Sequence, residues 1–195
     1  MSRLATRATL CAIAAFAAAC AAPPSHFYTL SPTATAVTTT ASLSVAVGPV
    51  SVPAIVDLPQ IVVSTGPNQV SLDEFNRWAS PLQNNISRVV AENLVALLGT
   101  PRVSLFQQSL SADADYRVAI EVQSFESTPG EAATLNAVWM VRRTKDGKSE
   151  TGRTSVREPA NDQGYDALAA AHSRALGRMS QDIADAVRAL DRGTP

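Results

Sequence analysis

From Tyr165 to about Leu190 the chain carries a single apolar stripe, and this feature most constrains the fold. Tyr165, Leu168, His172, Leu176, Met179, Ile183, Val187 and Leu190 recur every three or four residues. Such spacing predicts a long helix with one apolar face, which must lie on another surface to leave water. Asp162 and Asp166 sit at its start and Arg188 and Arg192 at its end, as the helix dipole favours. A second helix is predicted over residues 80–99. Ser80 can cap it, Pro81 suits the first helical position, and Gln83 completes an S-x-x-Q capping box. Leu82, Ile86, Val89, Val90, Leu94, Leu97 and Leu98 then share one face, and Gly99 and Pro101 end the helix.

The surface that receives both helices is predicted to be a sheet. Tyr116, Val118, Ile120 and Val122 alternate with polar residues, as do Leu135, Ala137, Trp139 and Val141. Asp146-Gly147 is a hairpin turn signal, and residues 152–157 return as a polar strand, giving an antiparallel meander. Shorter strands are expected at 26–30, 42–50, 61–63 and 103–106, with another at 69–72. Asp73 and Glu74 read as charge leading into a helix, and 31–41 (SPTATAVTTTA) as a flexible low-complexity loop. The expected fold class is therefore α+β: a two-layer sandwich whose mostly antiparallel sheet carries two long helices on one face.

The first twenty residues have a different character. Arg3 and Arg7 precede an uncharged, mostly apolar stretch from Ala8 to Ala19. That stretch is too short for a bilayer span of about 20 residues and has the length of an export signal. Ala17-Ala18-Ala19 then leads into Cys20, which resembles a lipobox with Ala17 at the position where Leu is usual. An ordinary secretory signal would be cut at the same bond, between Ala19 and Cys20. On the lipobox reading Cys20 is lipidated, and Ala21 after it favours sorting to the outer membrane. Residues 1–19 are then the signal peptide, 20–26 the lipidated cysteine and a short tether, and 27–192 one periplasmic domain, a comfortable size for a single core.

Both cysteines, Cys11 and Cys20, lie in this leader. The folded body accordingly lacks a disulfide framework and a thiolate metal site. Without residues 1–19, 14 basic residues face 17 acidic ones, with no basic stripe to hold nucleic acid. His26 and His172 are far apart, and no G-x-S-x-G, P-loop or glycine-rich cradle is present. Asp113 and Asp115 read as solvated turn carboxylates, and Trp78 and Trp139 as core. Neither catalytic residue, metal ligand nor cofactor is expected.

Three segments carry a family resemblance. Phe27-Tyr28-Thr29-Leu30, then Val47 to Val62 with its turn Asp57-Leu58-Pro59-Gln60, then Trp78-Ala79-Ser80-Pro81-Leu82 occur in order. Together they resemble the ABC-type transport auxiliary lipoproteins of the PqiC/YmbA type. The resemblance implies a non-enzymatic outer-membrane lipoprotein that accompanies an MCE-domain protein and an ABC permease in intermembrane phospholipid transport. The implied partners are the membrane, through the N-terminal lipid, and the MCE-domain protein; phospholipid contact and a homo-oligomer are both compatible with it. Asp57-Leu58-Pro59-Gln60 is a candidate partner-contact turn that proline preorganises, or a rigid turn that merely joins two strands. Trp78, Pro81 and Leu82 are expected to act as motif and core. Two rival readings remain: a carrier holding an acyl chain in a sheet–helix crevice, and a periplasmic enzyme with a polar cluster near His172 or Asp113 and Asp115.

Overall fold

The computed structural model describes residues 23–38, 41–106, 111 and 113–193. The export signal, the Ala19–Cys20 bond and the lipidation site at Cys20 lie outside the described residues. The elements are β1 (His26–Tyr28), β2 (Val45–Ser51), β3 (Gln60–Gly66), β4 (Gln69–Trp78), α1 (Leu82–Leu98), β5 (Val103–Leu105), β6 (Tyr116–Thr128), β7 (Ala132–Arg143), β8 (Ser149–Pro159) and α2 (Tyr165–Arg192).

The two-layer α+β architecture is as the sequence predicts. A five-stranded sheet runs in the order β5-β2-β6-β7-β8. Its β6-β7-β8 half is the expected antiparallel meander, turned at Gly147, whose φ of 71° a side chain would strain. Tyr116, Val118, Ile120 and Val122 of β6 face inward. The register then shifts between Val122 and Ser124, so the inward set continues on odd numbers as Phe125 and Ser127. Both helices pack on this sheet, α2 across β6, β7 and β8 and α1 across β2 and β5. Leu168, Leu176, Met179 and Ile183 of α2 and Leu82, Ile86 and Leu94 of α1 are fully buried between the layers.

Two features add detail that the expectation of a mostly antiparallel sheet did not carry. The large sheet is mixed, because β2 runs parallel to both β5 and β6. A second, three-stranded sheet also forms in the order β1-β4-β3, with β1 parallel to β4. Asp73 and Glu74 lie within β4 and do not begin a helix. The reason is local. Asp73 accepts the Phe75 backbone N–H at 2.8 Å and the Asn76 side-chain amide at 2.7 Å. Two steps on β3, from Gln60 to Val62, then face five on β4, from Arg77 to Leu72. The bulge hides the two-residue period that would mark a strand.

The start of α1 also departs from the capping-box expectation. Pro81 is the cap residue, and its carbonyl accepts the N–H groups of Asn84 and Asn85, both at 3.0 Å. Ser80 makes no capping bond, and the Gln83 amide reaches instead to Asp57. The predicted C-terminal stop holds: Gly99 is left-handed and its N–H bonds Val95 O.

The described residues of the low-complexity stretch after β1 (31–38 and 41) form no helix or strand but are tied across both helices. The Ser31 N–H bonds Ser173 Oγ at 3.0 Å, and the N–H groups of Thr33 and Ala34 bond Asn93 Oδ1 at 2.9 and 3.0 Å. Val37 donates to Ala96 O and Ala41 to Gly99 O. The Thr33 hydroxyl lies only 2.2 Å from where a Cβ at Gly177 would sit, so glycine is what lets this strap lie flat on α2.

Candidate functional site

The three-stranded sheet brings together parts of all three motif segments, while Val47–Ser51 of the second lie in β2 of the large sheet. Tyr28 in β1 pairs with Trp78 in β4, and the Ala79 N–H bonds Tyr28 O at 2.8 Å. Gln60, the last residue of the candidate turn, pairs with Arg77. Segments some fifty residues apart in sequence thus meet beside the N-terminus of α1.

The turn begins with Pro53, whose carbonyl accepts the N–H groups of Val56 at 3.0 Å and Asp57 at 3.2 Å. Val56 is buried and Leu58 packs half-buried against the core, which fixes the turn from beneath. Asp57 and Pro59 are exposed. Each end is then tied to another motif. The Asp57 carboxylate accepts from Gln83 Nε2 at 3.3 Å, the Pro59 carbonyl accepts the Trp78 N–H at 2.8 Å, and Gln60 Nε2 donates to Glu74 at 3.0 Å. Glu74 also pairs with Arg77 at 3.2 Å, and the Gln60 and Arg77 hydrogen bonds hold its carboxyl below the usual range. The result is a preorganised, exposed turn with one free face.

Trp78 and Leu82 are buried. Trp78 is 6% exposed and meets Phe125 edge-on at 6.2 Å, while Leu82 is 1% exposed. Pro81 caps α1. On the inner side of the small sheet Tyr28 lies against Tyr165, and Tyr165 donates to Asp73 at 3.3 Å. Burial and the nearby carboxylates raise both phenols. The backbone N–H of Phe75, then the Asn76 amide, hold Asp73 low. Sequence reasoning missed the Asp57–Gln83 and Asp73–Tyr165 links. Gln83 was at the right spacing for a capping box, and nothing local points either side chain to its distant partner.

His172 sits apart from this site. It is fully buried, stacked on Phe125 at 3.6 Å, with Nε2 2.8 Å from the Ser127 hydroxyl. Burial drives its pKa down to about 3. A serine beside an imidazole would suit nucleophilic chemistry only if substrate could reach it and a third group oriented the ring. Ser127 is 2% exposed, and Nδ1 has no hydrogen-bond partner among the described residues. The pair is a core contact. Asp115 accepts the N–H and hydroxyl of Ser44, each at 2.7 Å, and pairs with Arg102, so it staples a turn. Asp113 is exposed. Among the described residues no cluster of His, Cys, Asp and Glu could hold a metal, and no helix is long and apolar enough to cross a membrane.

Residues 28–184 match the family described as the ABC-type transport auxiliary lipoprotein component. The chain belongs to this family. It is thereby a non-catalytic auxiliary component of an ABC-type transport system. The match runs from Tyr28 in β1 well into α2, so it takes in the small sheet, the turn and both helices. No curated protein matches the chain by sequence. Two solved structures share its fold. A protein from Xanthomonas campestris is 21% identical, with a TM-score of 0.71, covering 87% of this chain and all of its own. The crystal structure of an uncharacterized protein is 20% identical, with a TM-score of 0.69, covering 85% of this chain and 99% of its own. At such identities the likeness speaks to fold alone.

Proposed function

We propose that this family member is a lipoprotein of the outer membrane that docks a periplasmic MCE-domain protein of an ABC transport system and so supports phospholipid passage between the two membranes and envelope integrity. Its anchor is the lipidated Cys20, exposed when the signal is cut after Ala19. The docking turn is Asp57-Leu58-Pro59-Gln60. The observation that supports this reading is the meeting of parts of the family's three motif segments, Phe27–Tyr28, the Asp57–Gln60 turn with β3, and Trp78, at one small sheet whose first strand begins six residues after Cys20. A turn tied at both ends loses few torsions on binding, so its exposed face suits recognition.

The carrier alternative gains no support from the interior. The space between sheet and helices is filled by Leu168, Leu176, Met179 and Ile183, all 0–1% exposed. The direct experiment is affinity purification of the lipidated chain, in mild detergent, from cells that express the MCE-domain protein. The expected result is co-elution of that protein, lost on Asp57→Arg with Gln60→Arg while the melting temperature is kept. Co-elution that survives the double substitution would remove the turn from the interface, and its absence in the unaltered chain would remove the docking role.

A further inference from the structure

Nine large apolar side chains are exposed among the described residues, and five of them belong to the small sheet and the turn before it: Phe27, Ile55, Val70, Leu72 and Phe75. Register shows how most of these share a face. Directly paired residues point to the same side of a sheet. Phe27 pairs with Arg77, Arg77 with Gln60, and alternation along β3 carries that side to Val62 and Ser64, which pair with Leu72 and Val70. Phe75 is two residues from Arg77 on β4 and lies on this side too. The opposite side holds Tyr28, Asn76 and Trp78, joined by the Tyr28–Asn76 hydrogen bond and packed toward Tyr165 and Phe125. The small sheet therefore turns an aromatic side inward, and its second side exposes Phe27, Phe75, Leu72 and Val70 around a buried Val62. Phe27 is 65% exposed there, Leu72 46% and Val70 45%; Ile55, Val62 and Val70 line one open groove of about 350 Å³ whose other wall is Phe125, Glu126 and Ser127 of β6.

We propose that this outer face of the small sheet rests on the phospholipid bilayer that holds the anchor, with Phe27 and Leu72 entering the interfacial region. The inference rests on the anchor at Cys20 proposed above. Chain length supplies the argument for this occupant. From Cys20 to His26 the chain reaches at most about 20 Å when extended, and Pro23 and Pro24 keep it from coiling back. The first strand to leave the membrane thus carries the most exposed phenylalanine among the described residues on the face in question. Charge agrees: Arg77 on that face is paired with Glu74, so attachment depends on apolar burial and is insensitive to salt. Acyl chains hold the protein at the membrane, and the face sets the domain's orientation there. The free side of the Asp57–Gln60 turn would then lie at a fixed height above the lipid.

The test uses the lipidated full-length mature chain in vesicles of phosphatidylethanolamine and phosphatidylglycerol. After signal removal Cys20 is the only cysteine and its thiol is blocked by the anchor, so Leu72→Cys gives a unique label site. Met140→Cys, exposed on the large sheet, is the control. Each variant carries an environment-sensitive fluorophore, and the vesicles carry spin-labelled phospholipid. The expected result is a blue shift and quenching at position 72, unchanged in high salt, with neither at 140. Equal quenching at both positions, or none at 72 while the protein floats with the vesicles, overturns the orientation and leaves the anchor standing. Protein that does not float overturns the anchor and this inference with it. A label at 72 that responds only when the MCE-domain protein is added assigns the face to that protein and overturns the membrane contact.

Discussion

Acidification should destabilise this protein through one residue well before its carboxylates matter. His172 is neutral and fully buried between Phe125 and Ser127, with its pKa lowered from 6.5 to about 3 by burial alone. An unfolded chain regains the ordinary value, so between the two pKa values the unfolded state binds the extra proton. Stability therefore rises with pH across that window: full above about 6.5, and lost progressively as pH falls toward 3. Going from about pH 7.5 to about pH 5, the unfolded histidine takes up most of a proton and the folded one almost none, which costs about 2 kcal/mol of folding free energy. Asp73, Glu74 and Asp146 are held below the usual carboxylate range, Asp146 at about 2 by Arg143, and the stability they add disappears only at lower pH. The assay is urea denaturation of the mature chain at several pH values, alongside His172→Asn, which can still meet the Ser127 hydroxyl. The variant is less stable throughout because it loses the stack on Phe125, but its stability should be nearly flat between about pH 7.5 and about pH 5, values that bracket the free imidazole. An unaltered chain equally stable at both, or a variant with the same slope, would refute the argument.

Two further substitutions test the packing. Gly152 in β8 faces Trp139, and a Cβ there would lie 2.2 Å from the indole, which is itself held by its bond to Thr154. Gly152→Ala should therefore cost about 1–3 kcal/mol by denaturant titration, the reverse of the usual gain from removing a strand glycine. Asn93 is fully buried, accepts the N–H groups of Thr33 and Ala34, and donates to Ser180 at 3.2 Å. Asn93→Leu strands the Thr33 and Ala34 N–H groups, although Ser180 keeps its bond to Leu176 O, and should cost at least about 2 kcal/mol, with faster amide exchange at Thr33 and Ala34; unchanged exchange there would show that the strap is held elsewhere.

What the sequence revealed follows the range of the interactions involved. The α2 stripe from Tyr165 to Leu190 and the alternation of Tyr116 to Val122 are periodic within one element, so both could be read directly. So could the motif segments, whose order placed the turn and the Trp78-to-Leu82 entry before any geometry was known. The parallel pairing of β2 with β5 and β6 joins strands up to seventy residues apart, and nothing in β2 alone specifies it. β4 was hidden for a different reason: the Asp73 side chain bonds Phe75 and Asn76 and breaks the alternation that defines a strand. Ser80 and Gln83 show the reverse error. Their spacing fits a cap, but Asp57 lies across the turn and takes the glutamine. His172 read as an apolar-face histidine and is one; its contact with Ser127 depends on the β6 bulge, which shifts the inward set onto odd-numbered residues.

The proposed anchoring and docking stand most directly on the chemistry of one sulfur. Intact-mass analysis of the N-terminal peptide from membrane-extracted protein should find a mature chain that begins at Cys20, with a diacylglyceryl group on the thiol and an acyl group on the amine. A chain recovered from the periplasmic fraction with an unmodified Cys20, or one beginning at Ala21, would contradict it.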